Sequence, residues 1–157
     1  MRKNIILPLA FLLIITGFNA CSVKDTACTD KTIQSEDATM ASFAATLGVP
    51  FTKHSSGVYY YIASPGSGAT PTNTSTVYVK YTGKLLNGTV FDTQTTAPVP
   101  YTLGGLILGW QVALPLIQKG GVIKIIVPSS LGYGCRGFGA VPGNSITYFE
   151  IELTDVQ

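Results

Sequence analysis

Apolar and polar residues alternate with a period of two over much of the second half of the chain, a pattern that predicts β-strands. Asn87-Gly88 separates two strand-like flanks, and an Asn-Gly pair in that position predicts a tight hairpin. Because the later strands alternate, one sheet face is expected to meet solvent and the other a core. The predicted strands are residues 58–62, 76–82, the two flanks of Asn87-Gly88, 122–127 and 146–153.

A segment before the strands carries the helical period instead. Met40, Phe43, Ala44 and Leu47 are spaced at i, i+3, i+4 and i+7, which predicts a helix with one apolar face. Ser35 is its predicted N-cap. We expect the apolar face to dock on the main domain.

The stretch GGLILGWQVALPLIQKGG, residues 104–121, is the helix candidate within the strand-rich region. Gln111, Pro115 and Lys119 interrupt it, so it falls short of the about 20 continuous apolar residues of a membrane span. Pro115 disfavours a helical conformation at Leu114, so the helix is expected to be short. The whole pattern predicts an α+β fold, in which an antiparallel sheet of about five strands wraps on one short helix behind a helical N-terminal extension.

The N-terminus resembles a targeting segment. Arg2 and Lys3 precede a short apolar run and then small residues, the order typical of a secretory signal. The residues ending at Cys21 resemble a bacterial lipobox, in which this cysteine is lipidated; the alternative is ordinary cleavage nearby that leaves a free thiol. The predicted division is a signal peptide, a lipidated tether with a short helix, and a main domain, at residues 1–20, 21–56 and 57–157.

Charge and motif content exclude several classes of function. Because Arg2 and Lys3 lie in the signal, 8 of the 10 basic residues remain against 8 acidic ones and form no cluster, so nucleic acid is not an expected partner. His54 is the single histidine and has no ligand at metal-binding spacing, so no metal site is expected. The chain has neither the Gly-x-Ser-x-Gly turn of a hydrolase nor a G-x-x-x-x-G-K-[ST] phosphate loop.

Cys28 and Cys135 form an even pair if Cys21 is lipidated, in a compartment that favours disulfides. They are predicted either to join the N-terminal segment to the loop after Tyr133 by a disulfide, or to remain free buried thiols. Geometry decides between the two, because the Cα atoms of a disulfide must lie within about 7 Å.

Aromatic side chains at the predicted turns form the candidate binding surface. Such rings offer a large apolar body, to which Tyr and Trp add a polar group, and this suits a pocket for an uncharged ligand. The alternative is ordinary core packing, and for Tyr101 the two interpretations are equally open. The residues are Tyr81, Phe91, Tyr101, Trp110, Tyr133, Phe138 and Phe149.

Short motifs follow one another through this region in a fixed order and spacing: Lys80-Tyr-Thr-Gly83, Asn87-Gly88, Val90-Phe91-Asp92, Leu103-Gly104, Leu106-Ile107-Leu108-Gly109-Trp110, Gly120-Gly121, Leu131-Gly132-Tyr133-Gly134, Pro142 and Phe149-Glu-Ile-Glu-Leu153. From about Val58 to the C-terminus the set resembles the FKBP-type peptidyl-prolyl cis-trans isomerase family. The lipobox, the capped helix and the Tyr-rich strand are similar to lipoprotein members from Bacteroidetes. The family fold, a twisted antiparallel half-barrel around one short helix, agrees with the prediction from the pattern.

The resemblance implies a role for each residue at a matching position. The Ile107 N–H is expected to hold a substrate carbonyl, the Tyr133 hydroxyl to bond the substrate backbone, and Asp92 to lie at the pocket edge. The residues implied in lining the proline pocket or in catalysis are Tyr81, Phe91, Asp92, Ile107, Trp110, Tyr133 and Phe149. The further substrate-binding positions are Leu106, Val99, Tyr101 and Val141.

What the resemblance implies about function is acceleration of X-Pro rotation in folding proteins of the bacterial cell envelope, without cofactor or metal. The expected partners are proline-containing segments of envelope proteins and macrolide inhibitors, with a lipid anchor as the membrane contact. The expected location is the outer membrane, facing the periplasm or the cell surface. The alternative is a proline-binding chaperone module with little turnover. Residues 93–98 lack the Arg that family members pair with the aspartate, which leaves the partner of Asp92 and the macrolide affinity open.

Overall fold

The computed structural model describes residues 27–157. The predicted signal peptide and the predicted lipidation at Cys21 lie outside the described residues. Between residues 27 and 157, no helix has the length and apolar character needed to cross a bilayer.

The described residues form two α-helices and six β-strands, joined by loops that include three short 3-10 turns. In chain order the elements are α1 (Ile33–Thr46), β1 (Thr52–Lys53), β2 (Tyr59–Ser64), β3 (Thr76–Leu85), β4 (Val90–Thr102), α2 (Leu108–Ala113), β5 (Gly121–Val127) and β6 (Thr147–Val156). The 3-10 turns are Leu103–Gly105, Leu114–Leu116 and Ser129–Leu131.

The strands form one antiparallel sheet in the order β1-β2-β5-β6-β3-β4. This confirms the α+β prediction of an antiparallel sheet around a short helix. The structure adds a sixth strand, the two-residue β1, which pairs with β2 at one edge of the sheet. The sheet therefore includes residues that precede the predicted start of the main domain at residue 57. The Asn-Gly hairpin also forms, since Leu85 and Thr89 hydrogen-bond across it and Gly88 takes a φ of +89°, which glycine adopts without steric cost.

Both faces of the β5–β6 part of the sheet are covered. Successive side chains of a strand point to opposite faces, so Ile125 and Phe149 enter the main core under α2, whereas their neighbours Ile126 and Tyr148 pack beneath α1. The expectation that α1 docks on the main domain is thus met. The expectation that one face meets solvent holds only where α1 does not reach.

Helix α1 begins earlier than its apolar spacing suggested. Its N-cap is Thr32, whose hydroxyl accepts a hydrogen bond from the Ser35 N–H at 3.2 Å, so the predicted cap Ser35 lies inside the first turn. The apolar spacing alone did not predict the start of the helix, because the first turn of α1 carries mainly polar residues. One of them, Glu36, is nevertheless buried.

Helix α2 is short, as predicted from Pro115. It ends at Ala113, and Pro115 lies in the 3-10 turn that follows. Gly109 lets the helix sit close to β5, since a Cβ there would meet the Val127 side chain at 2.5 Å. This close approach places Trp110, the next residue, at the base of the sheet's inner face.

Candidate active site

A cavity of about 220 Å³ opens between the start of α2 and the inner face of the sheet. Pockets for drug-sized ligands measure about 300–1,000 Å³, so this one suits a single ring or side chain. It is lined by Tyr81, Asp92, Tyr101, Gly105, Leu106, Ile107, Trp110, Tyr133 and Phe149.

The floor and walls of the cavity are aromatic rings packed edge to face. Trp110, which is 4% exposed, lies with its ring centroid 5.2 Å from that of Tyr81 and 5.4 Å from that of Phe149, at interplanar angles of 86° and 89°. Phe91 packs in the same way on Phe149, at 5.6 Å and 90°. Edge-to-face pairs of this kind stabilise one another beyond the burial of their surface, so the rings that form the apolar floor support each other.

Three polar groups meet at one side of this cavity. The Tyr81 hydroxyl donates to Asp92 Oδ2 at 2.7 Å and lies 3.4 Å from the Tyr101 hydroxyl. Burial, followed by the hydrogen bonds with Tyr101 and Asp92, raises the pKa of Tyr81 well above its ordinary value, so its hydroxyl stays a donor at neutral pH. The partner of Asp92, which the sequence left open, is Tyr81.

The loop between β4 and α2 is held by a side chain that sequence reasoning missed. Gln111 Nε2 donates to the Leu106 carbonyl at 2.7 Å and to the Gly104 carbonyl at 3.2 Å. The Ile107 carbonyl accepts from the Trp110 and Gln111 N–H groups, while no group within residues 27–157 accepts from the Ile107 N–H. The signal available in the sequence was a polar residue directly after the single Trp.

Tyr133 closes the cavity from the loop between β5 and β6. Its ring meets Phe91 edge to face at 5.9 Å and stacks on Phe138 at 6.2 Å, with a 12° angle between the planes. Burial first, and the charge of Asp92 second, raise the pKa of Tyr133. Its hydroxyl makes no hydrogen bond with the described part of the chain, so it is available as a donor.

A second cavity of about 170 Å³ adjoins the first and shares Asp92 and Tyr133 with it. Val141, which is 4% exposed, lies here rather than in the larger cavity, and so does the face of Phe91. Phe138, 75% exposed, forms the outer edge. The full lining is Phe91, Asp92, Tyr133, Phe138, Gly139, Ala140 and Val141.

The structure brings most of the predicted site residues to these two adjoining cavities. Val99 is the exception: it lies opposite Val79 in the β3–β4 ladder, packs against the core, and lines neither cavity. Tyr101, for which core packing and function were both open, lines the larger cavity and also packs against the core.

The arrangement is an aromatic cavity of about 220 Å³, the size of a small ring, with N–H and O–H donors at its rim. Residues 67–154 match the family model described as FKBP-type peptidyl-prolyl cis-trans isomerase. The chain belongs to that family.

Individual relatives agree with this assignment. The chain is 42% identical over 121 residues to the FKBP-type peptidyl-prolyl cis-trans isomerase FkpA of Buchnera aphidicola (subspecies Schizaphis graminum), a match that covers 75% of this chain and 47% of that protein. The crystal structure of FkpA from Escherichia coli superposes with a TM-score of 0.71 at 33% identity, over 80% of this chain and 61% of that one. A peptidyl-prolyl cis-trans isomerase of Pseudomonas syringae pv. tomato gives 0.67 at 30% identity, over 82% and 98%. The chain spans about half the length, or less, of the curated relatives it matches.

Proposed function

We propose that this protein accelerates cis–trans rotation about X-Pro peptide bonds. The observation that carries the proposal is the cavity floored by Trp110, an apolar cup sized for one ring, with the Ile107 N–H and the Tyr133 hydroxyl free to donate at its rim. A proline side chain is such a ring, and the peptide on either side of it offers carbonyl acceptors but no N–H at the proline itself.

Rotation about a peptide bond faces a barrier of about 18–20 kcal/mol, because resonance gives the C–N bond partial double-bond character. The planar amide places negative charge on its oxygen, and water stabilises this form by hydrogen bonding. In a water-poor aromatic cavity the planar form loses that stabilisation, whereas the twisted amide, with less charge on oxygen, loses less. Binding the twisted form better than either planar isomer lowers the barrier, and a reduction of about 7 kcal/mol corresponds to roughly 10⁵-fold in rate.

The donors at the rim have the task of holding the peptide while its X-Pro bond turns. In the proposed complex the Ile107 N–H bonds a substrate carbonyl, with Leu106 beside it, and Gln111 keeps that loop in place through its two carbonyl contacts. The Tyr133 hydroxyl bonds the substrate backbone from the opposite side. Fixing both flanks leaves rotation about the bond as the remaining freedom.

Asp92 and Tyr81 form the polar side of the proposed site. Their 2.7 Å hydrogen bond fixes the Tyr81 ring against Trp110. The Asp92 carboxylate lines both cavities, at the point where they adjoin. In the proposed complex, a peptide whose proline occupies the larger cavity contacts Asp92 where it continues into the smaller one. We assign Asp92 an electrostatic role at this edge, and Val141 an apolar contact with the residue next to proline.

The substrates we propose are proline-containing segments of proteins folding in the bacterial cell envelope, and macrolides are the proposed inhibitors. The proposal that residues 1–20 are a signal and that Cys21 carries a lipid anchor at the outer membrane rests on the sequence. The aromatic cavity supports the proposal of an uncharged proline ring as the bound group, because Asp92 is the one charged side chain in its lining.

The test is a protease-coupled isomerisation assay with an X-Pro tetrapeptide, comparing the protein with its Trp110→Leu variant. We expect kcat/KM to fall at least about tenfold, a loss of roughly 1.4 kcal/mol of transition-state stabilisation. The matched control is Phe43→Leu, which removes a ring from the cluster beneath α1 and should leave kcat/KM nearly unchanged.

Equal activity in a folded Trp110→Leu variant would remove the cavity from the mechanism. Tetrapeptide binding by the unaltered protein without any acceleration would favour the proline-binding module instead. Binding is followed through the fluorescence of Trp110, the only tryptophan in the chain.

A further inference from the structure

The loop that carries Tyr133, residues 128–146, is fastened at several points to the N-terminal strap, which we define as residues 28–36. The strap lies outside residues 67–154, the part matched to the family model. It consists of a segment without regular secondary structure followed by the first turn of α1.

The first fastening is a buried carboxylate. Glu36, 2% exposed, accepts hydrogen bonds at Oε2 from the Ser129 N–H at 2.8 Å and from the Ser129 hydroxyl at 3.0 Å. Burying a carboxylate is costly unless it is hydrogen-bonded; here Oε2 is bonded to the fully buried Ser129, whereas the buried Oε1 has no partner within residues 27–157. Glu36 therefore ties α1 to the start of the Tyr133 loop.

From Ser129 the connection runs directly to the residues that flank Tyr133. The Ser129 carbonyl accepts from the Gly132 N–H at 3.1 Å and from the Gly134 N–H at 2.8 Å. The backbone on both sides of Tyr133 thus converges on the residue that Glu36 holds.

The second fastening is covalent and lies on the other side of Tyr133. Cys28 and Cys135 form a disulfide with a Cα–Cα distance of 5.5 Å, which decides between the two alternatives that the sequence left open. Asp30 Oδ1 accepts from the Cys135 N–H at 2.6 Å, and a Cβ on Gly134 would come within 2.9 Å of the same oxygen. The strap and the loop are in contact at this point.

A third fastening engages Asn144 near the end of the loop. Its side chain accepts from the Lys31 N–H at 3.1 Å and donates to the Thr29 carbonyl at 3.3 Å, while its N–H donates to the Gly134 carbonyl at 2.8 Å. Asn144 has a φ of +57°, a conformation uncommon outside glycine. These contacts hold it there.

We propose that the N-terminal strap positions the Tyr133 hydroxyl for substrate binding, with Glu36 and the Cys28–Cys135 disulfide as its positioning groups. The inference rests on the proposed function, because it concerns the donor that Tyr133 offers to the peptide. An N-terminal segment that served only to connect the domain to an anchor would need neither a buried carboxylate nor a disulfide aimed at this loop.

The experiment compares the full chain, in a Cys21→Ser background, with Glu36→Ala, Glu36→Gln and Cys28→Ser/Cys135→Ser variants. Gln34→Ala, an exposed position on the same helix turn, is the matched control. We expect Glu36→Ala and the double cysteine variant to raise KM for the tetrapeptide at least about threefold with a smaller change in kcat, since the lost contact is to bound peptide. Glu36→Gln, which keeps an acceptor for Ser129, should recover most of the affinity.

A double-mutant cycle separates positioning from general destabilisation. In a Tyr133→Phe background the hydroxyl is already absent, so Glu36→Ala should have little further effect on KM. Full additivity of the two substitutions would overturn the proposal.

Hydrogen–deuterium exchange gives a readout that does not depend on catalysis. Amide exchange at residues 129–137 should speed up at least about tenfold in Glu36→Ala and in the double cysteine variant, with β3 and β6 unchanged. Unchanged exchange in the loop overturns this inference even if the protein proves to be an isomerase. If the loop exchanges faster in these variants but the unaltered protein has no isomerase activity, the contacts between strap and loop are supported and the proposed function is refuted.

Discussion

Tyr148 and Phe149 are neighbours in β6 that face opposite sides of the sheet, and their surroundings differ in one respect. Both are nearly fully buried, at 3% and 1% exposure, and both contact other rings at 5.4–5.6 Å. Phe149 nevertheless lines a cavity, whereas Tyr148 packs against Phe43 and Met40 in a filled cluster. Aromatic content therefore does not make a site.

The element that covers each face accounts for the difference. Helix α1 has 14 residues and α2 has 6, or about 21 Å against about 9 Å at 1.5 Å per residue. The longer helix packs Met40, Phe43 and Ala44 onto the part of the outer face that carries Tyr148. The shorter helix contacts the inner face only at its base, and Gly105 in the loop before it has no side chain to enter the cavity, so space remains above Trp110.

The largest expected effect is on stability, and it comes from the cluster between α1 and the outer face of the sheet. Met40 is fully buried between α1 and the sheet, and Met40→Ala should lower the free energy of unfolding by about 2–5 kcal/mol, because it leaves a cavity in a packed cluster. The measurement is denaturant unfolding followed by Trp110 fluorescence. Under conditions where the variant is folded, kcat/KM should stay within about twofold of the original. A loss of activity as large as the loss of stability would show that the two faces do not act separately.

A smaller effect, on activity rather than stability, distinguishes the two neighbouring rings. Phe149→Leu should reduce kcat/KM about tenfold, since it removes a wall of the cavity, whereas Tyr148→Leu should change it by about twofold or less. Both variants are assayed with the X-Pro tetrapeptide after circular dichroism confirms their fold. Similar activity in the two variants contradicts the assignment of the inner face as the site.

The smallest expected effect is on the pH dependence of stability, and it arises from an ion pair between Asp37 of α1 and Lys53 of β1. The ion pair with Lys53, and next the hydrogen bond from Tyr59, hold the pKa of Asp37 below its ordinary value of 3.8. A lowered pKa stabilises the fold above the unfolded-state value and loses this contribution as pH falls through the folded-state value. The stability difference between the protein and Asp37→Asn should therefore be constant at neutral pH and shrink below pH 3.8.

Urea unfolding at about pH 6 and about pH 3 measures that difference, which should be small because the pair is exposed to solvent. kcat/KM at neutral pH serves as the control and should not change. A stability difference that grows on acidification would reverse the sign assigned to Asp37.

Local patterns predicted the two helices and most of the strands because side-chain periodicity and turn chemistry act within a few residues; they predicted neither the two-residue β1 nor the full length of β4. The Asn87-Gly88 hairpin and the end of α2 before Pro115 are examples. The cap at Thr32 was missed for a related reason: Thr32 and Ser35 both carry a hydroxyl that can cap a helix, and only the path of the preceding chain selects between them.

The candidate site was foreseen through a resemblance of motifs rather than through physical derivation from the chain. The structure shows that most of those positions converge on adjoining cavities, and that Val99 does not. Gln111 was not foreseen, because its two bonds go to backbone carbonyls whose positions depend on the loop before α2. The role of each residue in catalysis stays a prediction until the variants are measured.

The sequence by itself determined the class of fold, since alternation, helical spacing and glycine or proline breaks are properties of short segments. The tertiary structure alone decided that Cys28 meets Cys135 across 107 positions, that Tyr81 is the partner of Asp92, and that Glu36 is buried against Ser129. Cys28–Cys135 and Glu36–Ser129 are contacts between residues about a hundred positions apart, and they are set by how the N-terminal segment and α1 close on the domain. The Tyr81–Asp92 bond joins the paired strands β3 and β4, and its geometry depends on the register of that pairing. No local pattern encodes either.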